Sequence, residues 1–215
     1  MPLPMVHLSV AVRYSELYGD IADPGAFLLG NIAPDSIHMR AGTAREDKKR
    51  THLHPEPVED YLTRLREHYV TYARAAQGAG WRCLVDGYFS HLLTDYYWSQ
   101  EVHPRLVEGG RLMEMTQEQT RALYYRETDQ IDFHIFRQAP WREQVWELLK
   151  GEPGADFGGL LTAEEMIQWR ERTFRFFENS AKEPGIVPRY ITVDVVEEFV
   201  DRTARRVTAL FKEWE

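Results

Sequence analysis

Val196-Glu197-Glu198-Phe199-Val200-Asp201-Arg202-Thr203-Ala204-Arg205-Arg206-Val207-Thr208-Ala209-Leu210-Phe211-Lys212-Glu213-Trp214 decides the fold class of this chain. Val196, Phe199, Val200, Thr203, Val207, Leu210, Phe211 and Trp214 recur at steps of three and four, so on a helix of 3.6 residues per turn they share one stripe. Glu198, Arg202 and Arg205 fall on the opposite face. The segment is a helix that lays one side on a core. Upstream, the same periodicity predicts helices over roughly 5–19, 24–32, 56–77, 80–100, 116–137, 140–150 and 162–181. Asp23-Pro24 is a good helix start, and Thr162-Ala163-Glu164-Glu165 has the spacing of a capping box. Gly78, Gly80 and Gly151 mark stops or turns. The polar run between Met39 and Arg50 reads as a surface loop, and a glycine-rich loop spans about 151–161. The expected fold is all-α, a compact multi-helix bundle, with residues 1–215 forming one domain.

Composition narrows the function classes. The net charge of −8 argues against an electrostatic nucleic-acid binder. Cys83 is the only cysteine, which rules out an intrachain disulfide and a thiolate metal cluster. Any bound metal is then held by nitrogen and oxygen. Met1-Pro2-Leu3-Pro4 lacks the basic start and apolar stretch of a signal peptide, and no run approaches the ~18 apolar residues of a membrane span. The expected location is the cytoplasm.

The chemistry concentrates in Gly87-Tyr88-Phe89-Ser90-His91-Leu92-Leu93-Thr94-Asp95. On a helix His91 and Asp95 lie one turn apart on the same face, where an imidazole and a carboxylate can converge on one ion. Their neighbours Leu84, Val85, Tyr88, Phe89, Leu92 and Leu93 are apolar, and a carboxylate in such surroundings is rarely buried unless paired or coordinating. The same residues also suit a buried His–Asp hydrogen bond. Further donors are available at His7, at Asp35 after Ala33-Pro34, and at His52 and His54 in Thr51-His52-Leu53-His54-Pro55. Each has a plainer reading as a core, turn or loop residue. His38, His103 and His134 are weaker candidates, and His68 belongs on an exposed helix face. The tryptophans and the tyrosines from Tyr88 to Tyr125 fit helix packing.

Taken in order, these segments resemble the zinc-dependent phospholipase C and P1 nuclease superfamily, in particular its small bacterial members. The resemblance rests on His7, on Phe27-Leu28-Leu29-Gly30-Asn31-Ile32-Ala33-Pro34-Asp35, on Thr51-His52-Leu53 and on Gly87 to Asp95. It covers residues 7–95, under half of the chain. It implies a helical fold with zinc ions between helices and water attacking a phosphodiester. His52, His91, Asp35 and Asp95 would be ligands of a central metal, and His7, with Asp95 bridging, would hold a neighbouring one. Asp35 would double as the base that accepts the proton of the water. Donors of this type suit zinc, and equally iron, manganese or nickel.

The chain departs from the family at two points. The larger secreted members bind metal through a mature N-terminal tryptophan, whereas six residues precede His7 here. They also carry a His-x-x-x-Glu pair for a further zinc, and no histidine after His52 has glutamate four residues on. His103 or His134 with Asp129 or Asp132 would have to substitute, and the last three do not share one helical face well. One or two ions are expected, not three. The adjacent His-Asp pair of HD-type phosphohydrolases is also missing. The expected function is hydrolysis of a small phosphoester or a phospholipid, with a non-catalytic binding protein stapled by a structural ion as the alternative.

Overall fold

A computed structural model describes residues 3–54, 60–75, 78 and 80–214. Among them are ten α-helices and two 3₁₀ turns, with no strand. The helices are α1 (Pro4–Tyr18), α2 (Pro24–Gly30), α3 (Arg45–Thr51), α4 (Tyr61–Ala73), α5 (Trp81–Glu101), α6 (His103–Leu112), α7 (Gln117–Gln138), α8 (Arg142–Gly151), α9 (Ala163–Glu178) and α10 (Val193–Trp214). One 3₁₀ turn (Ala33–Met39) follows α2 and the other (Ser180–Lys182) follows α9. The all-α expectation holds. The expected start of the 56–77 helix near Pro57 lies outside the described residues.

Two expectations need correction. Arg45–Thr51, read as part of a surface loop, is a helix: Asp47 accepts the amide of Ala44 at its start, and Lys48, Lys49 and Arg50 occupy its last turn, where cations complement the helix dipole. The charged run carries no apolar stripe, so periodicity could not find it. Helix α6 was not expected at all. Pro104 in its first turn and Gly109-Gly110 inside it look like punctuation, yet the glycines are pressed against the Tyr190 ring and Thr120. A side chain at Gly109 would overlap that ring, so tertiary contact explains a residue of poor helix propensity. In the 151–161 loop, Phe157 is fully buried and stacks on Tyr88 at 4.0 Å between ring centroids.

The capping signals act as read. Asp23 accepts the amide of Ala26, and Thr162 and Glu165 exchange hydrogen bonds across the first turn of α9. The stripe of α10 packs on α1, α5 and α4, with Phe199 edge-on to Trp98 of α5 and Phe211 stacked on Tyr69 of α4. Helix α5 is the centre of the bundle, and every residue from Gly87 to Asp95 is buried. It contacts α1, α2, α4, α6 and α10. Its closest neighbour is α2, and the two backbones cross at Gly30 and Gly87. A Cβ on Gly87 would lie 2.0 Å from the Phe27 carbonyl oxygen, and one on Gly30 would lie 2.3 Å from that of Leu84. Only glycine allows this approach.

Candidate metal centre

The glycine crossing sets the end of α2 beside His91. A helix leaves its last carbonyls without intrahelical partners, and the one just past the end of α2, on Asn31, accepts a hydrogen bond from His91 Nδ1 at 2.8 Å. A carbonyl only accepts, so the proton sits on Nδ1 and the lone pair is on Nε2. His52 is set in the same way. It ends α3, where its Nδ1 donates to the Lys48 carbonyl at 3.0 Å, and Tyr61 and Tyr88 donate to the carbonyls of His52 and Thr51. Two imidazoles are thus held by helix-end carbonyls with Nε2 aimed inward.

Asp95 lies between these rings. Its Oδ2 is 3.5 Å from His52 Nε2 and 3.7 Å from His91 Nε2, while its Oδ1 is 3.5 Å from His7 Nε2. Asp35, in the first turn of the 3₁₀ segment, brings Oδ1 within 3.5 Å of His52 Nε2. His7, from α1, stacks flat on His91 with ring centroids 3.8 Å apart. His7, His52 and His91 are each about 1% exposed.

These spacings decide between the two readings of the His91–Asp95 pair. They are long for hydrogen bonds, which cluster near 2.9 Å. Accordingly the Nε2 atoms of His7, His52 and His91, the Nδ1 of His7 and both oxygens of Asp95 are buried without a hydrogen-bond partner among the described residues. Leaving so many polar atoms unpaired costs about 1–3 kcal/mol each. Four donors about 2.0–2.1 Å from one ion in tetrahedral array stand about 3.4 Å from one another. The donors therefore fit a metal ion. Two overlapping groups could hold one: Asp35, His52 and His91, and His7, His91 and Asp95. The Nε2 of His91 can serve only one of two ions, whereas Asp95 has an oxygen on each side and can bridge.

Electrostatics agree. Burial lowers His7 and His52 well below the usual histidine range and takes His91 down to about 4, so all three imidazoles are neutral ligands at pH 7. Burial pushes the Asp95 carboxyl up, reinforced by the nearby Asp35 charge. Burial acts upward on Asp35 too, but the Lys48 ammonium, helped by His91 and His52, outweighs it and holds that carboxyl below the usual carboxylate range.

Comparison with known protein families, curated proteins and solved structures finds no significant match.

All five expected donors therefore meet in one place. The other candidates do not join them. His54 is exposed and stacks on Tyr61; His38 stands at the rim, 3.9 Å from Asp35 Oδ1. His68, His103 and His134 are exposed on α4, α6 and α7. Asp132, a candidate for a further ion, is buried on α7 and accepts the Met5 amide at the start of α1, which helps to set His7. Among the described residues no ion-holding group includes His103, Asp129, Asp132 or His134. A cavity of about 340 Å³ between α1, α7 and α10 is lined by none of the five donors. No helix among the described residues is long and apolar enough to cross a membrane.

The sequence places Lys48 only within the basic run 40–50, which suits either a solvated surface or contact with a phosphorylated substrate; the structure singles it out, with Nζ 2.7 Å from Asp35 Oδ1 and its carbonyl orienting His52. The available signal was the i, i+4 spacing of Lys48 and His52, which has meaning only on a helix.

Proposed function

We propose that this chain is a metal-dependent hydrolase of phosphoric esters, phosphodiesterase- or phospholipase C-like, and a small member of the zinc-dependent phospholipase C and P1 nuclease superfamily. The observation that carries this reading is the set of orphaned buried donors on His7, His52, His91 and Asp95, spaced as ligands of a shared ion and not as hydrogen-bond partners. His52, His91, Asp35 and Asp95 hold the central ion, with His7 and the second oxygen of Asp95 turned to a neighbouring one. When bound, a divalent ion, most simply zinc, lowers the pKa of coordinated water toward about 7 and offsets charge on a phosphoryl group. Neutral His91 and His52, fixed by backbone carbonyls, keep the site set without proton uptake near pH 7. Ionised Asp35, the more exposed of the two carboxylates, is the group available to accept a proton from water.

Deep burial of the imidazoles favours a second reading, an ion that staples the helices without turnover. Metal analysis of protein purified without a nickel column, together with hydrolysis of a chromogenic phosphodiester, separates the two. The hydrolase reading expects one or two divalent ions per chain, turnover of the diester, and loss of both in H91A and D95A. Metal-loaded protein inert on mono- and diesters leaves the structural reading, and full metal content in both variants removes the site altogether.

A further inference from the structure

The cradle is sealed on most sides, and its exposure rises along one edge. The His52 and His91 side chains are 1% exposed and Asp95 8%, whereas Asp35 reaches 12%, Lys48 25% and His38 40%. The Lys48 ammonium stands on this edge, between the buried donors and the exposed His38. That ammonium is held by two contacts, 2.7 Å to Asp35 Oδ1 and 3.4 Å to His38 Nε2. Its stem rises from α3, whose last turn is fixed by Tyr61 and Tyr88, so the charge sits on an anchored helix.

A count of charge gives this position its meaning. Asp35 and Asp95 bring two negative charges and the imidazoles none, so a single divalent ion neutralises the donors. Lys48 then leaves one positive charge at the open edge. A second ion would add to that excess. A site with surplus positive charge facing water, and an ammonium with three donors of which Asp35 and His38 take two, is completed by an anion.

Resting on the hydrolase reading, we propose that Lys48 is the anion-recognition group of the site. Its ammonium, steadied by Asp35, donates to a non-bridging oxygen of a phosphoryl group brought to the ion. With one ion bound, the surplus matches the single charge of a phosphodiester better than the double charge of a monoester.

The test uses zinc-loaded full-length protein and calorimetric titration with dimethyl phosphate, with inorganic phosphate as the doubly charged comparison. Glycerophosphocholine and a dinucleotide monophosphate then separate a lipid headgroup from a nucleic-acid source of the same diester. Expected are full zinc content in K48Q with affinity for dimethyl phosphate reduced about tenfold or more, and recovery to within about threefold in K48R. Dimethyl phosphate binding equal in K48Q and wild type, or absent from zinc-loaded wild type, overturns the proposal while leaving the ion site intact. So does loss of zinc in K48Q, which would make Lys48 a support for Asp35 only. Absence of zinc from the wild type itself would overturn the hydrolase reading first and this proposal with it.

Discussion

His91 uses its two nitrogens for different purposes, and its titration follows from that division. Nδ1 is committed to the Asn31 carbonyl, and Nε2 points into the cradle without a protein partner. Burial depresses its pKa from near 6.5 to about 4. For a depressed pKa the linked stability is present above the unfolded value and is lost as pH falls toward the folded one, because the unfolded chain takes up the proton first. In chelator, the stability advantage of wild type over H91Q should shrink by about 3 kcal/mol between pH 6.5 and 4, as read from urea unfolding. An advantage constant over that range would mean that His91 is not held neutral. His91 and Asp95 were legible because helical spacing alone places them on one face, and His7, Asp35 and His52 because each carries a ligating side chain beside a helix end. Lys48 was not: in a charged run a lysine has no distinguishing neighbour until the fold brings Asp35 to it. The role of Asp132 was hidden for a related reason, since its partner is a backbone amide 127 residues away.

At the scale of elements, the contact that matters most to the cradle is the crossing of α2 and α5. The glycines were visible in the sequence, but their role was not, since a glycine inside a helix pattern looks like a weakness until a second backbone is seen against it. The atoms that a methyl group would meet at Gly87 belong to the backbone of α2, which cannot swing aside as a side chain can. G87A should therefore cost about 1–3 kcal/mol or more in unfolding free energy. By moving the Asn31 carbonyl away from His91 it should also weaken metal binding about 10–100-fold. G151A is the control, because nothing lies within 4 Å of the added Cβ. If both variants matched wild type in stability and metal affinity, the crossing would not be what orients His91. A different long-range anchor lies on α7, where the buried Glu127 accepts the amides of Arg189, Tyr190 and Ile191 just before α10. E127Q loses the charge and one acceptor, and should cost about 2–3 kcal/mol in thermal or urea unfolding while leaving metal content unchanged. Unaltered stability would show that the segment before α10 is held by other contacts.

For the whole molecule, the five donors come from α1, the 3₁₀ turn after α2, the end of α3 and the middle of α5, so an ion in the cradle cross-links four elements. Helical periodicity predicted most of these elements but not their mutual arrangement, because the stripe on a helix says which face is buried and not against what. An ion bound there would supply the missing constraint. A ligand bound only by the folded state stabilises it by RT ln(1 + [L]/Kd), about 4 kcal/mol when free metal stands at a thousand times Kd. For a chain of this length each kcal/mol moves the melting temperature by about 2–4 °C. Removing metal with chelator should therefore lower the melting temperature of wild type by roughly 8–16 °C. D95N, which loses the bridging charge while keeping the shape of the side chain, should melt at the same temperature with and without chelator. The comparison also checks the cost of empty donors: without an ion, the Asp95 carboxyl is buried beside Asp35 and pays for its ionisation. D95N should then equal or exceed the stability of chelator-treated wild type at pH 8. If wild type melted identically with zinc and with chelator, the orphaned atoms on His7, His52, His91 and Asp95 would not be ion ligands, and the phosphoesterase reading built on them would fall.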